Sequence, residues 1–175
     1  MGIVNLLIER KDVNPNTRDT SNGRTPLSLA IENGHEEIVK LLVGRNDINP
    51  NTPDTMYSQS PLALAAEKGH EGIVKLLLGR KDVNPDISDT EYGRTPLSWA
   101  TVNGHEGIVK LLLGREGVKP DTPDTKYRRT PLWWAAEKDH QRIVKLLLGR
   151  ENCQPQHPRH DTGPYAALMG CREWP

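Results

Sequence analysis

Histidine is the residue type in this chain best suited to metal or proton chemistry, and four of the six histidines recur at an interval of 35 residues. A metal site or a proton relay needs side chains that converge on one point. Positions that are separated by whole repeats lie apart along a stack and do not converge. We therefore predict no chemical site from this set, which consists of His35, His70, His105 and His140.

A second candidate site lies near the end of the chain, where zinc-ligand side chains occur at Cys153, His157, His160 and Cys171. Their spacing differs from that of a standard zinc finger, which needs two compact ligand pairs. Cys153 also occupies the register of Val118, an apolar position one repeat earlier. A C-terminal metal site is the less favoured alternative, and we expect neither a metal nor a cofactor.

One tripeptide, Asp161–Thr162–Gly163, matches the active-site sequence of aspartic proteases. That chemistry needs two such carboxylates held together, and the tripeptide occurs once in the chain. We interpret it as a degraded copy of the Asp-Thr pair at 124–125. A Gly-rich phosphate loop, a nucleophile elbow and a His-Glu-x-x-His helix are also absent from the sequence. We predict that the chain is not an enzyme.

Charge and hydropathy exclude several classes of partner. The chain carries 23 basic and 23 acidic residues, whereas binding to nucleic acid or anionic membranes needs a basic excess. No apolar run has the length of a transmembrane helix, and Met1 to Arg10 lacks the features of a secretory signal. Two cysteines suit a reducing compartment. We predict an intracellular protein, cytoplasmic or nuclear, whose partner is another protein.

A repeat of 35 residues organises the chain. Thr25–Pro26–Leu27 returns as related tripeptides at 60–62, 95–97 and 130–132. The pentapeptide Ile-Val-Lys-Leu-Leu begins at Ile38 and returns at 73, 108 and 143. So many landmarks in phase indicate a repeat architecture, in which stacked units share one continuous core.

Each unit predicts two helices joined by a turn. Thr25 is a suitable N-cap, and Pro26 suits the first helical position because no N–H is needed there. Gly34 suits the left-handed conformation that ends the first helix. The second helix is predicted from about 35 to 43, with Gly44 closing it. We number the units repeats one to four, with helix pairs at 25–44, 60–79, 95–114 and 130–149.

The stretch Thr95 to Ala100, the tripeptide Asn103–Gly104–His105 and the run Ile108 to Leu113 resemble the ankyrin repeat, in the same order. The resemblance covers residues 1–156. It implies an all-α solenoid of stacked helix-turn-helix units joined by hairpin-like loops. It also implies that each repeated histidine begins a helix and bonds to a neighbouring repeat. Partners of this family usually dock in a concave groove of loop tips and first helices.

Two features depart from the family pattern. The period is 35 residues, whereas about 33 is usual, and we place the extra pair in the proline-containing loop, such as Asn49 to Thr55. The histidine of the family's Thr-Pro-Leu-His is replaced by Ser28, Ala63, Ser98 and Trp133.

The ends of the chain suggest a longer array. Gly2 to Arg10 align with Gly72 to Arg80, so we predict a half repeat at 1–10, while residues 157–175 form an irregular tail. The sequence of residues 89–100 resembles that of repeats in long ankyrin arrays of filamentous fungi, including those of NACHT-type receptor-like proteins. We expect the protein to be monomeric or part of a longer chain. An alternative function is a ligand-sensing or spacer segment of a multidomain receptor.

Aromatic residues in the repeats have two interpretations each. Trp99 and Trp134 share a register with leucines, and we predict that they pack between adjacent repeats. Trp133 shares a register with small residues, so we expect partial exposure, either as a binding anchor or as a surface that a further repeat covers. The tyrosines of the loop-tip register either contact a partner or pack loop against loop; they are Tyr57, Tyr92 and Tyr127.

Comparison of the four repeats with one another separates fixed positions from variable ones. Variation concentrates at the loop tips and on the first helices, which coincide with the groove that the resemblance implies. Either these positions contact a partner or they have drifted on a solvated surface. The predicted contact set is Ser21, Asn22, Arg24, Met56, Tyr57, Gln59, Glu91, Tyr92, Arg94, Val102, Asn103, Lys126, Tyr127, Arg128, Arg129, Trp133 and Lys138.

Overall fold

The computed structural model describes residues 14–54 and 58–149 and contains eight α helices and no strand within those ranges. The predicted all-α class is confirmed. The half repeat at 1–10 and the tail at 157–175 lie outside the described residues. The helices are α1 Pro26–Glu32, α2 Glu36–Val43, α3 Pro61–Lys68, α4 Glu71–Leu78, α5 Pro96–Val102, α6 Glu106–Leu113, α7 Pro131–Glu137 and α8 Gln141–Leu148.

The helices form two layers. The first helices α1, α3, α5 and α7 contact one another in sequence, and the second helices α2, α4, α6 and α8 do the same. Each first helix also packs on the second helix of its own repeat. The buried residues form one continuous cluster along both layers, with leucines such as Leu62 and Leu97 and small residues such as Ala65 at fixed registers. Stacking therefore supplies the core that a single repeat lacks.

A hydroxyl N-cap begins every first helix. The Thr25 hydroxyl accepts the N–H of Ser28 at 3.2 Å, and the Ser28 hydroxyl in turn accepts the N–H of Thr25 at 2.9 Å. Ser60, Thr95 and Thr130 each accept the backbone N–H of the residue three positions later, with proline following each of them. The prediction for Thr25 and Pro26 is thus confirmed, and each cap contributes on the order of 1 kcal/mol.

A histidine precedes each of the four second helices, and the rings of His70, His105 and His140 reach back to the previous repeat. The Nε2 of His105 lies 3.0 Å from the carbonyl oxygen of Glu67, which confirms the bond between repeats that the resemblance implies. Its ring packs on Gly69, where φ is +78° and an added Cβ would lie 2.6 Å from the ring. Glycine is therefore required twice at this position, by the left-handed backbone and by the close approach of the ring.

Arginine closes the far end of the second helices. Gly44 is the C-cap of α2 but holds a right-handed conformation, with φ at −71°. The left-handed closure that glycine often supplies is therefore not used there. Arg80 of the next repeat instead donates to the carbonyls of Val43 and Arg45, at 2.7 and 2.9 Å. A cation that bonds to the last carbonyls of a helix also interacts favourably with its dipole.

Asparagine side chains in the loops join successive repeats. The Asn51 amide donates to the carbonyl of Asp82 at 2.7 Å, and its Oδ1 accepts the N–H of Asn84 at 2.9 Å. Asn16 makes the same two bonds one repeat earlier. A side-chain amide suits this position because it donates and accepts at once.

Asp86 stands where the asparagine ladder would continue. It accepts the N–H of Lys119 at 3.5 Å, but an ionised carboxylate has no proton to donate to the neighbouring carbonyl. Burial raises the pKa of Asp86 above its ordinary value of 3.8, against the opposing effect of the Lys119 N–H. Folding therefore disfavours the ionised form of Asp86 relative to the unfolded chain.

We expect Asp86→Asn to raise the free energy of unfolding by roughly 0.5–1.5 kcal/mol near pH 7, because the amide completes the ladder. Ionisation of Asp86 opposes folding. The stabilising contribution of its protonated form is therefore complete below the unfolded-state pKa and is lost as pH rises through the folded-state pKa. The advantage of asparagine should consequently shrink between about pH 7 and about pH 4. Urea unfolding at both pH values measures it.

The matched control is Asn51→Asp, which should destabilise the protein near pH 7. A gain from Asp86→Asn that is equal at both pH values would contradict the argument from ionisation.

Candidate protein-binding groove

The first helices and loop tips line a groove of about 460 Å³ along repeats one to three. Its walls carry residues of the predicted contact set, among them Asn22, Gln59, Glu91 and Tyr92. No second-helix residue belongs to its lining. The groove is mixed in character, since charged side chains alternate with apolar positions such as Leu64 and Trp99.

A buried aspartate organises the loop tip of repeat three. Oδ1 of Asp89 accepts the N–H groups of Tyr92 and Gly93 at 2.7 and 3.2 Å. Oδ2 accepts the Arg94 N–H at 3.2 Å and the Trp99 indole N–H at 2.9 Å. One carboxylate thus fixes both the turn and the indole that faces the groove.

The same arrangement recurs in repeat four. Asp124 is fully buried and accepts the Tyr127 N–H at 2.6 Å and the Trp134 indole N–H at 2.8 Å. Sequence reasoning missed this role. The signal was present, because an Asp-Thr pair stands at the same register of every repeat, six residues before the N-cap of the first helix. The four aspartates are Asp19, Asp54, Asp89 and Asp124.

Loop-tip backbones share a left-handed residue. Gly23 and Gly93 have φ values of +60° and +71°, and the equivalent Ser58 and Arg128 have +49° and +58°. Glycine adopts this conformation without steric cost, whereas a side chain is strained there. Repeat four therefore holds an exposed arginine at a position where the backbone favours glycine.

Aromatic rings and cations form a cluster between repeats three and four. The Arg94 guanidinium carbon lies 4.8 Å from the ring centres of Tyr92 and Trp99, and 4.6 Å from that of Trp134. Arg129 stacks on Trp133 at 3.5 Å and lies 5.0 Å from Trp134. Contacts of this kind contribute roughly 0.5–2 kcal/mol each. We name this set, with Lys126 and Tyr127, the aromatic–cation cluster.

Tyr92 and Tyr127 pack edge-on against tryptophans at ring distances of 5.6 and 5.8 Å. Lys126 lies over Tyr92 at 4.3 Å. The Glu91 carboxylate raises the pKa of Tyr92, mainly by accepting a hydrogen bond from its hydroxyl. Tyr92 therefore packs both on its own repeat and against the next loop, whereas Tyr127 packs on Trp134 of its own repeat and stays 46% exposed.

The tryptophans differ from one another in exposure. Trp134 is 6% exposed, as expected for packing between repeats. Trp99 is only half-buried and lines the groove, so its ring also belongs to the candidate surface. Trp133 is half-buried, which agrees with the partial exposure expected from its register.

Burial divides the predicted contact set. Gln59 and Arg94 are 3% and 6% exposed, so only a small part of each side chain is accessible to a partner. The half-buried members are Asn22, Arg24, Tyr92, Val102, Arg129 and Trp133. The exposed members are Ser21, Glu91, Asn103, Lys126, Tyr127, Arg128 and Lys138. Met56 and Tyr57 lie outside the described residues.

Positive charge collects on repeat four, next to the C-terminal end of the groove. Arg24 of repeat one is paired with Asp19 and Glu32, at 3.4 and 2.5 Å. Among the described residues, no salt bridge involves Lys126, Arg128 or Lys138 of repeat four. This end of the groove can therefore accept acidic groups from another molecule.

A protein-family model described as ankyrin repeats in three copies matches residues 1–89, 46–124 and 81–159. The chain belongs to the ankyrin-repeat family. Ankyrin repeats are protein–protein interaction modules, and the family is generally non-enzymatic. The comparison with curated proteins gives no match.

Two kinds of feature are absent from the described part of the ankyrin array. Residues 14–54 and 58–149 contain no group of three or more His, Cys, Asp or Glu side chains arranged to hold a metal ion. Within the same ranges, no helix has both the length and the apolar character needed to span a bilayer. The metal-site alternative involved Cys153, His157, His160 and Cys171, which lie outside those ranges.

We expect Asp89→Ala to lower the free energy of unfolding by roughly 3–5 kcal/mol, because several buried N–H groups lose their acceptor. The equivalent change Asp19→Ala, where the side chain is 37% exposed, should cost much less because water can replace the carboxylate. Urea unfolding followed by tryptophan fluorescence measures both. Equal losses would contradict the proposed role of burial.

We expect Arg128→Gly to raise the free energy of unfolding by roughly 0.5–1 kcal/mol, because glycine relieves the left-handed strain. Lys126→Gly, at an exposed neighbour without a positive φ, should instead destabilise the protein. Thermal unfolding of the two variants compares them. A loss of stability in Arg128→Gly would show that the side chain contributes more than its strain costs.

Proposed function

We propose that this ankyrin array binds another protein in the groove formed by its loop tips and first helices. An acidic patch of the partner faces the C-terminal end. The observation that carries the proposal is a set of cations in repeat four, Lys126, Arg128 and Lys138, that form no salt bridge within the described residues. Lys126 and Arg128 stand at registers that hold neutral or acidic residues in repeats one to three.

Arg128 gives further support through its backbone. A strained residue is retained where the surrounding structure fixes it, and such residues often occur at functional sites. Here the strain places a cation at the loop tip that glycine would not supply. Selection for stability alone favours glycine at this register, as in repeats one and three.

We further propose an intracellular location, either cytoplasmic or nuclear, and a monomeric state or membership of a longer chain. We also propose a fungal NACHT-type origin and a lack of catalysis. The alternative role as a ligand-sensing or spacer segment of a larger receptor uses the same groove and differs in what is attached to the array.

The test is affinity capture with the whole chain as bait, followed by mass spectrometry. We expect Arg128→Glu/Lys138→Glu to lose the captured partner by at least about tenfold, because like charges then meet its acidic patch. The matched control is Lys110→Glu/Lys145→Glu, which makes the same charge change on the second helices. Equal retention by the wild type and the groove variant, or equal loss in the control, would reject the groove.

A further inference from the structure

Arg94 is the buried cation at the centre of the aromatic–cation cluster. It is 6% exposed, and its Nε is buried without a hydrogen-bond partner. The nearest carboxylate in an ion pair, that of Asp124, lies 3.9 Å away. Oδ2 of Asp124 already accepts the Trp134 indole N–H. The charge on Arg94 is therefore only partly balanced within the described residues.

In repeats one, two and four, a glutamate partners the residue at the Arg94 register. The residue at the Arg94 register contacts a glutamate eight positions later in each of them. Arg24 pairs with Glu32 at 2.5 Å, and the Gln59 amide donates to Glu67 at 2.6 Å. In repeat four, Arg129 lies 3.6 Å from Glu137.

Repeat three breaks this pattern. The residue eight positions after Arg94 is Val102, so the carboxylate is replaced by an apolar side chain. Val102 is half-buried, and its register holds Glu32 and Glu67 in repeats one and two, both of which line the groove. A buried or half-buried cation without a hydrogen-bonded acceptor is costly, and a carboxylate that reaches it makes a charge-assisted hydrogen bond.

We propose that an acidic segment of the bound protein supplies this carboxylate, placing one Asp or Glu side chain beside Arg94 and Val102. The inference rests on the proposed groove function and names the anchor point of the partner. The segment continues toward the exposed cations of repeat four, Lys126 and Arg128. Charge complementarity along that path selects an acidic peptide over a neutral one.

The guanidinium suits this role for two reasons. Its planar fork matches a carboxylate in a way that a lysine ammonium does not. The flanking rings of Tyr92, Trp99 and Trp134 also hold it in place before binding, so little side-chain entropy is lost when the partner arrives.

Val102→Glu separates this proposal from a general effect of charge, because it supplies the carboxylate within the chain itself. The control Asn103→Glu adds the same charge to the next residue, which is exposed. A second variant, Arg94→Gln, introduces the residue that repeat two already holds at this register as Gln59. Circular dichroism and urea unfolding verify that each variant is folded.

The probe is a blocked nine-residue peptide with glutamate at alternate positions, compared with the same peptide carrying glutamine. Titration follows tryptophan fluorescence, which reports on the cluster, and isothermal calorimetry. We expect the wild type to prefer the glutamate peptide by at least about tenfold. Val102→Glu and Arg94→Gln should each weaken that binding about tenfold, whereas Asn103→Glu should weaken it less than about threefold.

Equal weakening by Val102→Glu and Asn103→Glu would overturn the proposal, and so would equal binding of the two peptides by the wild type. Neither result bears on whether a protein occupies the groove, since capture with Arg128→Glu/Lys138→Glu decides that separately. Loss of the captured partner in that variant but not in Val102→Glu would reject the Arg94 anchor alone.

Discussion

Every repeat of this protein depends on its neighbour for groups that it cannot satisfy alone. A pair of helices of seven or eight residues each leaves an apolar face that only another pair can cover. The polar groups obey the same constraint. The histidine of one repeat bonds to the first helix of the previous one, as His105 does with Glu67, and Arg80 satisfies the carbonyls at the end of α2. Stacking distance and orientation are thereby fixed by hydrogen bonds as well as by packing.

This dependence explains why glycine and asparagine recur where they do. Gly69 leaves room for the ring of His105, so its identity is set by the next repeat as much as by its own backbone. Asn51 bonds to two backbone groups of the following loop. Asp139 stands at the glycine register of repeat four with φ at +54°, and the histidine register one repeat later falls outside the described residues. An acidic side chain at such a position is compatible with the local turn because Asp tolerates the left-handed region better than most residues.

Periodicity made most of the fold predictable. The α-helical structure and the proline at the start of each first helix follow from residues that recur every 35 positions, because local capping rules act within a few residues. The candidate site was harder to predict from the sequence. The burial of Arg94 and Gln59 could not be predicted, because their register varies between repeats as an exposed position would. Their burial arises from rings and turns of the adjacent repeat, and those contacts join residues that are far apart in the sequence. The aspartate register is evident in the sequence, but its role depends on tryptophan indole partners that only the folded structure brings to it.

A repeat protein carries its own internal comparison, and departures from the shared pattern have unequal meaning. Replacement of a glycine by Ser58 changes one backbone position, where φ is +49°. Replacement of a glutamate by Val102 is different, because the cation that it would pair with remains in place. Nearest-neighbour stability tolerates one weakened repeat inside an array, so repeat three can keep an imperfectly balanced charge without unfolding. That tolerance is what allows an ankyrin repeat to hold a group whose electrostatic partner belongs to another protein.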